Sequence, residues 1–420
     1  MQKYFHPMIS RLHRTLGFGC IVLASLIALA GHSQSSGDFV AKSTNLFAPG
    51  VIIALLQKVN DYQTAHPVMK ATDRNWERGT WFTGVMAAGV ATGDSRFIDQ
   101  ATRFGESNQW QPGTEKSGAN VLTCAQTYLE LYFLTTNHAF IEPVILWVNS
   151  GRSNTPSGAK VWYLEGGRRY ADSLYVGAPP LAMLAKATGN SQYLTWMNDF
   201  FWDVQAELFD SADNLFYRDK RFIGATNLHG KKIFWSRGNG WVFASLPRIL
   251  SALPAKDPSR PRYEALFKQM AAAIAKQQQP DGLWRPNLDD PEDFSMPETS
   301  GTGFFCYGMA WGVRNGLLDR ATYLPVVRKA WTGLAECVNA DGKVCWGQLV
   351  GDRPVAVKAE DSHEYITGTF LLAGSEVLRL IKMGFLTSAT RASHRQIEPA
   401  NSTERIINSS TAVFQKYGSL

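Results

Sequence analysis

A helix boundary repeats along this chain, and it limits the possible folds more than any other feature. Ala91-Thr-Gly-Asp-Ser-Arg-Phe97 and Ala187-Thr-Gly-Asn-Ser-Gln-Tyr193 are near copies, while Leu134-Thr-Thr-Asn-His-Ala-Phe140 and Gly316-Leu-Leu-Asp-Arg-Ala-Thr-Tyr323 are looser ones. Each reads as a helix stop, a tight turn, then an aromatic residue opening the next helix. Apolar residues three and four apart predict helices over Leu46 to Val59, Trp81 to Ala91, Ala125 to Leu134, Leu181 to Ala187, Val242 to Leu250, Tyr263 to Ala275 and Phe370 to Leu380. A second recurring element is turn chemistry followed by an apolar residue, in Asp213-Asn-Leu-Phe216, Asp281-Gly-Leu-Trp284 and Asp341-Gly-Lys-Val344. Spacings of roughly forty to seventy residues belong to helical hairpins, of which about six fit between residues 45 and 383. One hairpin cannot bury its apolar face alone, so the repeats must stack or close into a ring. Long alternating strand runs are scarce, and an all-α fold is expected.

The chain has 420 residues, 45% hydrophobic, enough for one large domain or two smaller ones. Residues 1–30 read as a secretory leader: Lys3, Arg11 and Arg14, an apolar run from Leu16 to Leu29, and Ala28-Leu-Ala30 as a cleavage site. That run is too short for a comfortable membrane span. The expected organisation is this leader, a barrel over residues 31–387, and a polar, lightly packed tail over 388–420. The mature protein is expected to be exported, periplasmic or secreted, and off the membrane. The three leader cations account for half of the formal +6 charge, and no Lys/Arg run marks a nucleic-acid groove. Cys124, Cys306, Cys337 and Cys345 lack metal-ligand spacing with histidine. Cys337 and Cys345 straddle a turn and could pair, or all four could be buried thiols.

Several segments hold groups able to do chemistry. In Trp235-Ser-Arg-Gly-Asn-Gly-Trp241, the Arg237 guanidinium can fork onto a carboxylate. Trp235 and Trp241 offer apolar faces for a sugar ring, a set that suits an acidic sugar. The alternative is a glycine-rich helix start with core tryptophans. Asp172, in Tyr170-Ala-Asp-Ser-Leu-Tyr175, has apolar neighbours that would raise its pKa toward that of a general acid. The alternative there is a helix N-cap. His229 reads as a substrate contact or a loop end. Glu298, before Thr299-Ser-Gly-Thr302, reads as a helix cap or a ligand-facing rim. His363-Glu364-Tyr365 is equally open.

Taken in order, these segments resemble the unsaturated rhamnogalacturonyl hydrolases of glycoside hydrolase family 105. The resemblance runs from about Leu46 to Leu380. It rests on Gln126-Thr-Tyr-Leu-Glu-Leu-Tyr132, Tyr170-Ala-Asp-Ser-Leu174, Trp235 to Trp241, Asp281-Gly-Leu-Trp284, Glu298-Thr-Ser-Gly-Thr302 and Phe370-Leu-Leu-Ala-Gly-Ser-Glu-Val377. It implies an (α/α)6 barrel of six helical hairpins. It also implies a lyase-generated oligosaccharide of rhamnogalacturonan type as substrate, with a 4,5-unsaturated uronic acid at its non-reducing end. The reaction so implied is hydration of the double bond. Asp172 would be the general acid and base, and no metal or organic cofactor is implied. Tyr170, His229, Arg237, Trp235, Trp241 and Glu298 are the expected substrate contacts, with Arg237 near the uronate carboxylate.

One departure stands out. Where the family carries Ala-Asp-Asp, this chain reads Ala119-Asn120-Val121, so the second acidic position of the catalytic pair holds Asn120. An amide keeps the size and the hydrogen bonds but holds no charge. Asn120→Asp is therefore expected to raise the rate if that lost carboxylate matters. Two other readings stay open: a weakened acidic-oligosaccharide binder on the same barrel, and a conventional glycosidase pairing Asp172 with Glu298 or Glu364.

Overall fold

The element order is helical almost throughout. The computed structural model describes residues 45–115, 118–153 and 169–387. All of them belong to one compact unit. The expected leader and the expected tail beyond Thr387 lie outside the described residues.

Five hairpins follow one another: α2 (Trp76–Thr92) with α3 (Ser95–Ser107), α5 (Ala125–Thr135) with α6 (Glu142–Ser153), α7 (Ser173–Thr188) with α8 (Gln192–Leu208), α9 (Ser236–Ala252) with α10 (Arg260–Lys276), and α11 (Thr299–Arg314) with α12 (Arg320–Glu336). The sixth pair is not a hairpin in sequence. It joins the first helix, α1 (Pro49–Ala65), to the last, α13 (Glu364–Lys382). The first partner of every other hairpin and α13 touch in a closed ring, α2–α5–α7–α9–α11–α13–α2, with the second partners and α1 outside it. This is an (α/α)6 barrel closed by pairing the first and last of the described helices.

The repeated boundary has one physical cause. Gly93 and Gly189 end α2 and α7 in the left-handed conformation, at φ 77° and 74°. Asp94 then caps α3 by accepting from Arg96 N, and Asn190 accepts from Gln192 N. The looser copies follow suit, with Thr136 or Gly316 in the turn and Asn137 or Asp319 as cap. In the second recurring element, Asn214, Gly282 and Gly342 take the positive φ. The first of these turns closes a two-stranded ribbon, β1 (Phe209–Asp210) with β2 (Leu215–Phe216). All four described cysteines are buried free thiols, Cys337 and Cys345 included.

The ring closes where α2 meets α13. A Cβ on Gly84 would lie 2.4 Å from the Gly368 carbonyl oxygen, and one on Gly368 would lie 2.4 Å from that of Thr80. Backbone cannot yield as a side-chain tip can, so even one methyl must part the helices. Gly368→Ala is expected to destabilise the fold by about 3 kcal/mol. An unchanged denaturation midpoint would contradict this close approach.

Candidate active site

An outer helix returns the chain between successive inner helices, so the inner helices run in one direction and their N-terminal ends share one mouth. Contacts tie those ends together. Arg78 of α2 donates to the Glu364 carboxylate of α13 at 2.7 and 2.9 Å. Trp76, at the start of α2, lies 5.0 Å from the Tyr365 ring and 5.9 Å from that of Trp241. Each end directs a partial positive charge toward the mouth, which favours an anion there.

Asp172 precedes α7 at this mouth, and it does not cap the helix: its side chain accepts no first-turn N–H. Its backbone is already helical, at φ −56° and ψ −31°, rather than extended as in a typical capping residue. It accepts instead from Arg218 Nε at 3.2 Å. Its side chain keeps 16% exposure, sheltered yet open to a ligand. Burial pushes its pKa up from the ordinary aspartate value, against the opposing charges of Arg218 and Arg237. A carboxyl that resists ionisation and remains accessible suits proton transfer.

Tyr170 and Asn120 stand beside it. Ala119, on the short helix α4 (Gly118–Val121), packs close to Gly177 of α7. The Tyr170 hydroxyl donates to Asn120 Oδ1 at 3.2 Å, and the Tyr170 ring lies 5.0 Å from the Arg218 guanidinium. Asp172, Tyr170 and Asn120 are thus brought together.

The indole–arginine segment is arranged differently from the expectation. Trp235 is 1% exposed, and Trp241 is buried against Tyr175 and Phe304. Neither presents a face to the mouth; the half-buried ring there is that of Trp76. Arg237 is also 1% exposed. Its guanidinium lies between the Trp235 and Tyr365 rings, at 4.6 and 4.9 Å, and donates to the backbone carbonyls of Gln348 and Leu349. The fork expected to grip a substrate carboxylate is therefore already engaged, with only Nε lacking a partner. Both tryptophans are buried, as the core alternative expects, because a first helical turn inside a closed ring has neighbours on every side.

Glu298 is a cap. Fully buried, it accepts from Ser300 N, Ser300 Oγ, Gly301 N and Gln348 N. Glu364 is equally occupied by Val68 N, Met69 N and Arg78. Neither carboxylate is free to act with Asp172 as a second acid or base. His229 sits on an exposed loop, 52% open, with Nδ1 2.6 Å from Asp290. His363 accepts from Glu364 N through Nδ1 and stacks on Tyr365, and burial lowers its pKa.

Three residues of the mouth escaped the sequence reading. Arg218 follows β2, 46 residues after Asp172, and is bound to Asp219 as well. Trp76 and Glu115 are the others. Glu115 accepts from Trp76 N at 3.3 Å and from Asn120 Nδ2 at 2.7 Å. Only the recurrent turn before Phe216 hinted that the next residues return to the mouth. Close by, Glu77 is pushed up to about 7 by burial, and further by Glu115, Asp73 and Glu364. A raised folded value means that ionising Glu77 costs stability, a cost absent below its unfolded pKa and full above about 7. Glu77→Gln is therefore expected to raise Tm in mildly alkaline buffer and leave it unchanged in acid; equal shifts at both would contradict this.

A ring of helices with a sheltered, non-capping aspartate at its mouth suits a barrel hydrolase that transfers a proton. Residues 53–381 match Glycosyl Hydrolase Family 88, and the chain belongs to that family. It is 33% identical over 377 residues to the "Unsaturated 3S-rhamnoglycuronyl hydrolase" of Formosa agariphila, covering 85% of this chain and 98% of that one. It is 35% identical over 362 residues to the protein of the same name from an Alteromonas species, covering 82% and 87%. A solved glycosyl hydrolase family 88 structure from Bacteroides vulgatus superposes with a TM-score of 0.73 at 31% identity, covering 81% of this chain and all of that one. Structures of possible family 105 members from Salmonella enterica and Klebsiella pneumoniae share the fold, with TM-scores of 0.68 and 0.66 at 22% and 20% identity.

Proposed function

We propose that this glycoside hydrolase removes a 4,5-unsaturated uronic acid from the non-reducing end of lyase-generated oligosaccharides, with rhamnose as the adjoining sugar. The observation that carries the chemistry is Asp172: sheltered, accessible, not spent on a cap, and without a free glutamate partner in Glu298 or Glu364. A single acid/base fits hydration better than direct displacement, which needs two carboxyl groups about 5–10 Å apart.

In this mechanism protonated Asp172 delivers its proton to C4 of the enol ether. The positive charge formed at C5 is shared with the ring oxygen. The resulting Asp172 carboxylate takes a proton from water as its oxygen bonds to C5. The hemiketal opens to a C5 ketone, and the partner sugar leaves from C1 with its glycosidic oxygen. Donor and acceptor duties fall on one residue at successive moments. Arg218 keeps the carboxylate aimed, while the helix N-termini favour the uronate's charge. The names of the relatives support rhamnose as neighbour.

A panel of lyase-digested polysaccharides tests the assignment through the ultraviolet absorbance of the conjugated double bond. Absorbance should fall fastest with digests whose unsaturated uronate is linked to rhamnose. Equal rates on all digests would remove the rhamnose preference, and no fall on any would remove the function. An exported location, supported by the leader-like residues 1–30, is checked by N-terminal sequencing of the mature protein.

A further inference from the structure

We infer that Glu115 is a positioning residue of this reaction: through its hydrogen bond to Asn120, it supplies the negative charge that an amide at position 120 cannot hold. The inference rests on the proposed hydration at Asp172.

A continuous set of contacts carries it. Glu115 Oε2 accepts from Asn120 Nδ2 at 2.7 Å, while Asn120 Oδ1 accepts from the Tyr170 hydroxyl at 3.2 Å. The Tyr170 ring lies under the Arg218 guanidinium, and Arg218 donates to Asp172. The amide orientation is therefore set from both sides, with its donor committed to Glu115 and its acceptor to Tyr170. Glu115 is itself anchored by Trp76 N at the start of an inner helix, where a carboxylate is favoured. A charged acceptor behind Nδ2 polarises the amide and strengthens Oδ1 as an acceptor. Asn120 and Glu115 together thus present one negative charge and one fixed oxygen, divided between two side chains.

This reverses an expectation drawn from the sequence alone. Asn120→Asp does not restore a missing charge in this site. It places a second carboxylate 2.7 Å from the first, and the two must share a proton or move apart. The charge-exchanged pair Glu115→Gln with Asn120→Asp keeps one negative charge. It also keeps both hydrogen bonds, because the new amide can donate to one oxygen of the carboxylate at position 120 while Tyr170 donates to the other.

The test measures kcat and KM for both single variants and the double variant on an unsaturated uronyl oligosaccharide, with thermal melts to establish folding. Glu115→Gln is expected to lower kcat by about tenfold to a hundredfold with KM changed less than about threefold. Asn120→Asp is expected to lower kcat as well. The double variant is expected to recover to within about threefold of the natural enzyme, which a merely structural role for Glu115 would not produce. Natural kcat in Glu115→Gln, a gain in Asn120→Asp alone, or a double variant no better than the poorer single one overturns the inference while leaving hydration at Asp172 intact. A natural enzyme inactive on every unsaturated uronide overturns the reaction and this inference with it.

Discussion

Asp172→Asn is expected to lower turnover by about 10²–10⁴-fold, the contribution of a positioned acid–base group. KM should change little, because asparagine keeps the size and can still accept from Arg218 Nε. The same substitution should leave the protein more stable in alkaline buffer. Burial raises the folded carboxyl's pKa above its unfolded value, so its ionisation costs stability that is absent at low pH and full above the folded pKa. The Tm gain of the variant should therefore vanish near about pH 4, where the unfolded aspartate titrates. In the natural enzyme the acid step requires the protonated form, so kcat should decline on the alkaline side. A variant with near-natural turnover, or one less stable than the natural protein at every pH, contradicts the role given to Asp172.

Arg237→Leu is expected to have the second large effect, and to act first on the fold. The guanidinium holds the carbonyls of Gln348 and Leu349 between two aromatic rings with almost no exposure. Its removal takes a charged donor from each carbonyl, leaving Gln348 O with the Tyr365 hydroxyl, and such bonds contribute about 1.5–3 kcal/mol each. Loss of both should destabilise the barrel by about 2–4 kcal/mol, read from chemical denaturation. Arg237→Lys should recover little, since an ammonium cannot reproduce the fork or the stacking. If Arg237 mainly gripped a substrate carboxylate, Arg237→Leu would melt normally and only KM would rise.

Much of the fold was legible because its repeats are local. Gly93 with Asp94 and Gly189 with Asn190 stop one helix and start the next within a few residues, so composition and spacing expose them. The seven segments read by periodicity fall within helices, apart from a start at Leu46 that Pro49 moves three residues on. Helix α11 was legible from its cap at Glu298 rather than from a stripe, since nearly all of its residues are buried and no single face is set apart. The closing pair α1 and α13 was hidden for another reason: its partners lie at opposite ends of the barrel sequence.

The site was only half legible. Asp172, Tyr170 and Asn120 do meet, but residue type does not reveal where a side chain points. Arg237 and Trp235 look like part of a sugar clamp until Gln348, more than a hundred residues away, is in place. Arg218 and Glu115 had no motif of their own, and the fold alone brings them to the aspartate.

The central claim is that chemistry begins at the C4=C5 double bond, and a paired time course tests it most directly. Ultraviolet absorbance and release of the partner sugar are followed together, on an unsaturated uronyl oligosaccharide and on its saturated counterpart. Hydration at Asp172 predicts that absorbance falls no later than the sugar appears, and that the saturated compound is untouched. Sugar released ahead of the absorbance change, or cleavage of the saturated compound at a comparable rate, would contradict it.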